Sequence, residues 1–141
     1  MNFYHVLPLQ IRFNDIDLAQ HVNNSVYQEY FDLGRLSYFE AVMGTTLAFD
    51  GLSMVIASFS VDFFLPVFLS DKIFVRTKVV STGNKSLEMV QQIVGEGDSA
   101  PRAEATTIMV CYNYGTQASE VLPEAWKSAF SLFEHHEIVS R

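Results

Sequence analysis

Between residues 25 and 43 the apolar positions recur with a helical period. Tyr27, Tyr30, Phe31, Gly34, Tyr38, Ala41 and Val42 follow the i, i+3, i+4, i+7 rule. Gln28, Glu29, Asp32, Arg35 and Glu40 fall mostly on the opposite side, and no proline interrupts the run. This pattern predicts one long helix. Asn23 or Asn24 is its expected N-cap, because an asparagine oxygen can accept from an orphan N–H of the first turn. Gly44 is its expected stop. Gly34, in mid-helix, is about 1 kcal/mol less favourable than alanine. Such a glycine is expected where a sheet crosses close to the helix.

Elsewhere the period is two. Residues 4–14 alternate and predict a strand, with Pro8 pointing to an edge position or a bulge. Residues 15–20 read as a loop. Residues 52–65 predict a long strand with Val55, Ala57, Phe59, Val61 and Phe63 on one face and Ser58, Ser60 and Asp62 on the other. Pro66 interrupts it. Residues 72–80 alternate cleanly, Ile73, Val75, Thr77 and Val79 against Lys72, Phe74, Arg76 and Lys78. Lys72 and Lys78 are accordingly expected on a solvated face. A turn at 82–84 and a loop at 95–102 separate two further strands, 86–94 and 103–114. Pro123 opens a short helix carrying Trp126, Phe130 and Phe133, and residues 137–141 are expected to fray.

The predicted order is strand, long helix, four strands in hairpin succession, short helix. Hairpins make the sheet antiparallel, with only the first strand open to a parallel placement. A long helix on one face of such a sheet is an α+β two-layer domain, and 141 residues suffice for one domain.

Composition narrows the setting. Hydrophobic residues make up 49% of the chain, enough for a core without disulfides or metals. Cys111 is the single cysteine and lies in an apolar strand, which predicts a small buried hydrophobe in a reducing compartment. No apolar run reaches the roughly 20 residues of a membrane span. The first residues have neither the basic nor the apolar region of a signal peptide, so a cytoplasmic location is expected. A net charge of −7 argues against nucleic acid as the main partner. It still permits a small phosphorylated ligand held by a few local cations.

The chemistry-bearing residues concentrate ahead of the long helix. Asp15, Asp17 and His21 fall within seven residues, followed directly by Asn23 and Asn24. By residue type alone, Asp17 can be a catalytic carboxylate or a loop acid that closes a turn. Asp15 can pair with Arg12 or close an Asx turn. Five of the nine basic residues (Lys72, Arg76, Lys78, Lys85, Arg102) lie between positions 72 and 102, with only Glu88, Glu96 and Asp98 among them as acids. No HExxH or CxxC pattern calls for a metal, and His135-His136 is a weak signal. No cofactor is expected.

Asp15-Ile16-Asp17, then His21-Val22-Asn23-Asn24, then Tyr27 and Tyr30-Phe31, resembles the active-site segment of hotdog-fold thioesterases. It is most similar to the 4-hydroxybenzoyl-CoA thioesterase branch, with its D-x-D-x-x-G-x-x-x-x-x-x-Y pattern. Gln20-His21-Val22-Asn23-Asn24 is also similar to the acyl-ACP thioesterases, which carry D-x-D-x-N-Q-H-V-N-N. Gln20 replaces the glycine of the first pattern and Ala19 the asparagine of the second. The resemblance implies a hotdog fold, an antiparallel sheet wrapped around one long central helix, and an acyl-CoA thioesterase. It puts the catalytic carboxylate on Asp17 and the oxyanion donor at the backbone N–H near Asn24, while His21, by residue type, can orient the thioester, hydrogen-bond the loop or pack at the helix entrance. Asp17 would serve as nucleophile or general base. Tyr27, with Phe59, Phe63 or Phe64, is a candidate acyl-pocket residue. The resemblance also implies that Lys85 and Ser86 contact nucleotide phosphates. It implies a homodimer joined sheet edge to edge, and commonly a dimer of dimers, with Glu29, Ser58, Ser60 and Asp62 as candidates to reach the neighbouring site. The alternatives are an acyl-ACP thioesterase and a non-catalytic acyl-thioester-binding module.

Overall fold

The long helix α1 spans Val26–Met43 and buries Tyr27, Tyr30, Phe31, Tyr38 and Phe39. A computed structural model describes residues 1–44 and 51–141. The connection expected after Gly44 lies mostly outside the described residues. Gly44 ends α1 at φ 73°, and its N–H donates to the Glu40 carbonyl. Its lack of a Cβ makes that left-handed turn accessible.

The strands are β1 (His5–Leu9), β2 (Leu52–Phe63), β3 (Ile73–Thr82), β4 (Ser86–Gly95), β5 (Ala103–Asn113), β6 (Ala118–Ser119) and β7 (Val139–Ser140). A second helix, α2, spans Glu124–Phe133. The main path of the sheet is β1-β3-β4-β5-β2, antiparallel throughout, with β6 on β5 and β7 parallel to β3. First-strand pairing is therefore antiparallel.

The helix lies close against β3 and β4. A Cβ on Gly34 would stand 2.7 Å from Gln91 Nε2 and 2.9 Å from a Val75 methyl. The mid-helix glycine thus sits where the sheet crosses. Around the first half of α1 the core gathers Val22, Tyr27, Phe31, Val67, Val75 and Ile93. Around the second half it gathers Tyr38, Val79, Leu87, Met89, Leu122 and Phe130. Full burial of an apolar side chain such as Phe31 contributes about 1.5–3 kcal/mol.

Several expectations are corrected. The first strand stops at Leu9, and a 3₁₀ turn at Phe13–Asp15 follows it. β2 does not form a hairpin with β3. The loop holding Pro66 carries the chain across, and β2 pairs with β5 at the far edge. A bulge between Ile56 and Ser58 also shifts the faces of β2. Met54 is buried before the bulge, while Phe59 and Val61 point inward after it, so Val55 and Ala57 do not share one core face with them. Arg35 is buried, stacked over Phe59 at 5.5 Å and bonded to Gln91 and Asp32. Ala41 is exposed.

Lys78 is not on a solvated face. Its ammonium donates to Glu137 at 2.7 Å and to the fully buried Glu134 at 3.3 Å. Glu134 also accepts from the Tyr38 hydroxyl at 2.6 Å. Burial opposes the charged lysine, but these two carboxylates outweigh it and hold its ammonium above the usual range. The C-terminal residues do not fray. Val139 and Ser140 pair with Ser81 and Thr82.

Candidate active site

The loop ahead of α1 is braced from inside. Asp15 is 1% exposed, yet its carboxylate accepts from the Arg12 N–H at 2.9 Å, the Arg12 guanidinium at 3.0 Å and the Tyr30 hydroxyl at 2.6 Å. Burial works against its charge. Those donors overcome the penalty and hold its carboxyl below the usual carboxylate range. The same burial and the same neighbouring charge push the Tyr30 hydroxyl far up, so it remains a donor. Arg12 reaches on to Glu29 of α1 at 2.8 Å. The expected Arg12–Asp15 pair is thus present, and Tyr30 is a partner that residue spacing did not reveal.

Asp17 is half-buried on this braced loop. Its Oδ1 accepts from the Ala19 N–H at 2.8 Å and its Oδ2 from the Asn23 side-chain amide at 3.0 Å. The Asp17 N–H donates to the His21 carbonyl, and Ile16 bridges Val22, which folds the loop back on itself. Gln20 makes the reversal at φ 69°. That is the left-handed region where glycine is favoured, and the position is the glycine of the D-x-D-x-x-G pattern.

The helix begins at Val26, one residue later than expected. The N-cap is Ser25, not Asn23 or Asn24 as expected, and no side chain caps the first turn; Asn23 closes the turn that leads into it, its Oδ1 accepting from the Ser25 N–H at 2.9 Å and the Ser25 hydroxyl at 2.7 Å. Asn24 is exposed and is not the cap. Its backbone N–H has no acceptor among the described residues. An unpaired N–H ahead of a helix, with the helix dipole behind it, can stabilise a developing negative charge.

A cavity of 360 Å³ opens at this point, walled by His21, Asn24, Tyr27, Phe63, Phe64 and Leu65. His21 lies edge-on to Phe68 at 6.5 Å, and Tyr27 edge-on to Phe63 at 5.0 Å. Burial raises the Tyr27 hydroxyl. Phe59 is not in this wall; it packs on Phe31. On the other side of α1 a groove of 460 Å³ is lined by Arg12, Glu29, Tyr30, Asp32, Leu33 and Leu36, among others. Asp17 is in the wall of neither. It meets the cavity region through Asn23, which precedes Asn24.

The structure therefore gathers His21, Asn24 and Tyr27 in one wall at the start of α1, with Asp17 tied to that wall through the His21 carbonyl and Asn23. It leaves the other candidates elsewhere. Lys85 and Ser86 stand at the β3–β4 turn. The Lys85 ammonium donates to the Ser119 hydroxyl at 3.4 Å, and the Ser86 hydroxyl accepts from Arg141 at 2.7 Å. Ser58 and Ser60 are exposed on β2, opposite Ile108 and Thr106 of β5. The outer edge of β2 carries no partner strand among the described residues. His135 stacks on Tyr4 at 4.0 Å, and His136 meets the Ser131 hydroxyl. Among the described residues no group of three or more His, Cys, Asp or Glu side chains could hold a metal, and no helix is long and apolar enough to cross a membrane.

Comparison with known proteins bears on the fold and the family. A thioesterase from Thermus thermophilus, solved with coenzyme A and zinc, is 27% identical with a TM-score of 0.81 over 94% of this chain and 96% of that one. The 1,4-dihydroxy-2-naphthoyl-CoA thioesterase of Synechocystis is 18% identical with a TM-score of 0.77, covering 89% and 93%. The DHNA-CoA thioesterase of Staphylococcus aureus is 19% identical with a TM-score of 0.80, covering 96% of each chain. No curated protein sequence matches. The family model described as the Thioesterase-like superfamily matches residues 11–130, from just after β1 into α2. With its antiparallel sheet laid around one long helix, the chain is a hotdog-fold member of the Thioesterase-like superfamily.

Proposed function

We propose that this chain is an acyl-CoA thioesterase, turning R–CO–S–CoA and water into R–COOH and CoA–SH. What supports the reading is an Asn24 N–H without an acceptor among the described residues, in the wall of a cavity, next in sequence to Asn23, whose amide holds the Asp17 carboxylate. Thioester hydrolysis needs both groups. As nucleophile, an Asp17 oxygen adds to the thioester carbonyl, the Asn24 N–H holds the oxyanion, and collapse expels CoA thiolate. Water then hydrolyses the mixed anhydride. As general base, Asp17 takes a proton from the attacking water and the same oxyanion forms. His21 lies in the cavity wall, where it can orient the thioester. Tyr27, Phe63, Phe64 and Leu65 offer the acyl group an apolar wall.

Lys85 and Ser86 are proposed to meet the nucleotide phosphates, since Lys85 has no carboxylate partner among the described residues. The unpartnered edge of β2 supports a homodimer joined by edge pairing, with pairs assembling further into a dimer of dimers. Glu29, Ser58, Ser60 and Asp62 would then approach the neighbouring site. The proposed place of action is the cytoplasm, consistent with one buried free cysteine. A net charge of −7 disfavours an acidic acyl-carrier protein as the preferred carrier.

A hydrolysis screen over short, long and aromatic acyl-CoAs, read by released thiol, tests the proposal. Turnover of at least one acyl-CoA, faster than of the matched acyl-ACP, is expected. Binding without turnover across the whole panel would make the chain a thioester-binding module instead.

A further inference from the structure

Asn23 holds both halves of the proposed reaction centre. Its side-chain oxygen accepts from the Ser25 N–H at 2.9 Å and the Ser25 hydroxyl at 2.7 Å, which locks that end to the start of α1. The amide is planar, so locking the oxygen aims the NH2 end. That end donates to Asp17 Oδ2 at 3.0 Å. The backbone of Asn23 is pinned as well: its N–H donates to the Asp15 carbonyl and its carbonyl accepts from the Val26 N–H, each at 2.9 Å. The carbonyl of Asn23 and the N–H of Asn24 belong to one planar peptide unit and point in opposite directions. Fixing the Asn23 carbonyl toward the helix therefore turns the Asn24 N–H away from it.

We infer that Asn23 is a positioning residue, which sets the Asp17 carboxylate relative to the Asn24 N–H. The inference rests on Asp17 and Asn24 acting as proposed above. The turn onto Ser25 needs only the oxygen of this side chain, and aspartate, or more weakly serine, can close the same turn. Only the NH2 end grips Asp17. The two roles can therefore be separated by substitution.

Asn23→Ser keeps a turn-closing oxygen but is too short to span to Asp17. Asn23→Asp keeps the turn onto Ser25 and sets an acceptor against an acceptor. Both are measured beside the parent for urea midpoint and for kcat and KM on an acyl-CoA that the parent hydrolyses. The expected result is a near-parental midpoint for Asn23→Ser, with kcat lowered about 10- to 100-fold and KM changed by less than about twofold. Asn23→Asp should lower kcat at least as far. In an Asp17→Asn background, Asn23→Ser should remove nothing more, because the two residues act as one unit. Parental kcat in a folded Asn23→Ser protein would overturn the inference. So would a fall in kcat that only follows a fall in stability across both variants. Asp17→Asn is the separate control: if it keeps parental turnover, the reading of Asp17 itself has failed, whatever the Asn23 variants do.

Discussion

Tyr30→Phe removes a single oxygen and tests whether the buried brace holds the acidic loop. The lost group donates to Asp15 Oδ2 at 2.6 Å, and the two residues are 2% and 1% exposed. No water replaces it readily at that depth. A hydrogen bond to a charged group is worth about 1.5–3 kcal/mol, so a loss of about 2 kcal/mol at pH 7 is expected. For a domain of this size that lowers Tm by about 6 °C. The effect should depend on pH, and its sign follows from Asp15. The folded carboxyl lies below its ordinary value. Its stabilisation is complete above the unfolded value, about 3.9, and disappears as pH falls through the folded value. Tyr30→Phe weakens the charged form, so parent and variant should differ most at neutral pH and converge in acid. Urea unfolding at pH 7 and near pH 3, at fixed protein concentration, reads this directly. Because the brace supports the strand of loop that carries Asp17, kcat should fall too. A loss of the same size at both pH values, or none at pH 7, would refute the reasoning.

Other substitutions probe separate parts of the account. Gly34→Ala gains about 1 kcal/mol of helix propensity but drives a methyl to 2.7 Å from Gln91 and 2.9 Å from Val75. A net loss of about 1–2 kcal/mol is expected by thermal unfolding, with partial recovery when combined with Val75→Ala; a gain in stability would contradict the packing described. Lys78→Met leaves Glu134 buried with its charge unpaired, and should cost about 3 kcal/mol in urea unfolding. Lys85→Ala should raise KM for acyl-CoA about fivefold, equivalent to about 1 kcal/mol. The same variant should leave KM unchanged for a truncated pantetheine thioester, and equal effects on both substrates would remove Lys85 from phosphate binding.

Local physics explains what could be read along the chain. The helix was legible because its apolar residues keep one period and end at Gly44, and Gly34 advertised the sheet that crosses it. β5 was legible because it alternates without interruption over its buried length, and β4 because it alternates except at the buried run 89–91. The pairing of β2 was not, since an edge partner is chosen by packing across the whole sheet and not by the loop at Pro66. One inserted residue near Ala57 reversed the faces of β2, and alternation counts cannot anticipate a bulge. Lys78 reads as a surface lysine until α2 delivers Glu134 across 56 residues of sequence. Asp17, His21 and Asn24 could be singled out because they are adjacent in the chain. The bond from Asn23 to Asp17 was invisible, because spacing alone does not say which way an amide turns. Gln20 in a left-handed turn is legible only against the glycine of the resembled pattern.

In the proposed reaction the carboxylate of Asp17 performs the chemistry while the Asn24 N–H holds the oxyanion. The most direct measurement is single-turnover hydrolysis of a good acyl-CoA substrate by Asp17→Asn, with folding and substrate binding checked on the same sample. Bound acyl-CoA, an intact urea midpoint and a hydrolysis rate lower than the parent's by about 10³-fold or more are expected. A folded Asp17→Asn protein that releases thiol at the parent's rate would contradict the proposed reaction.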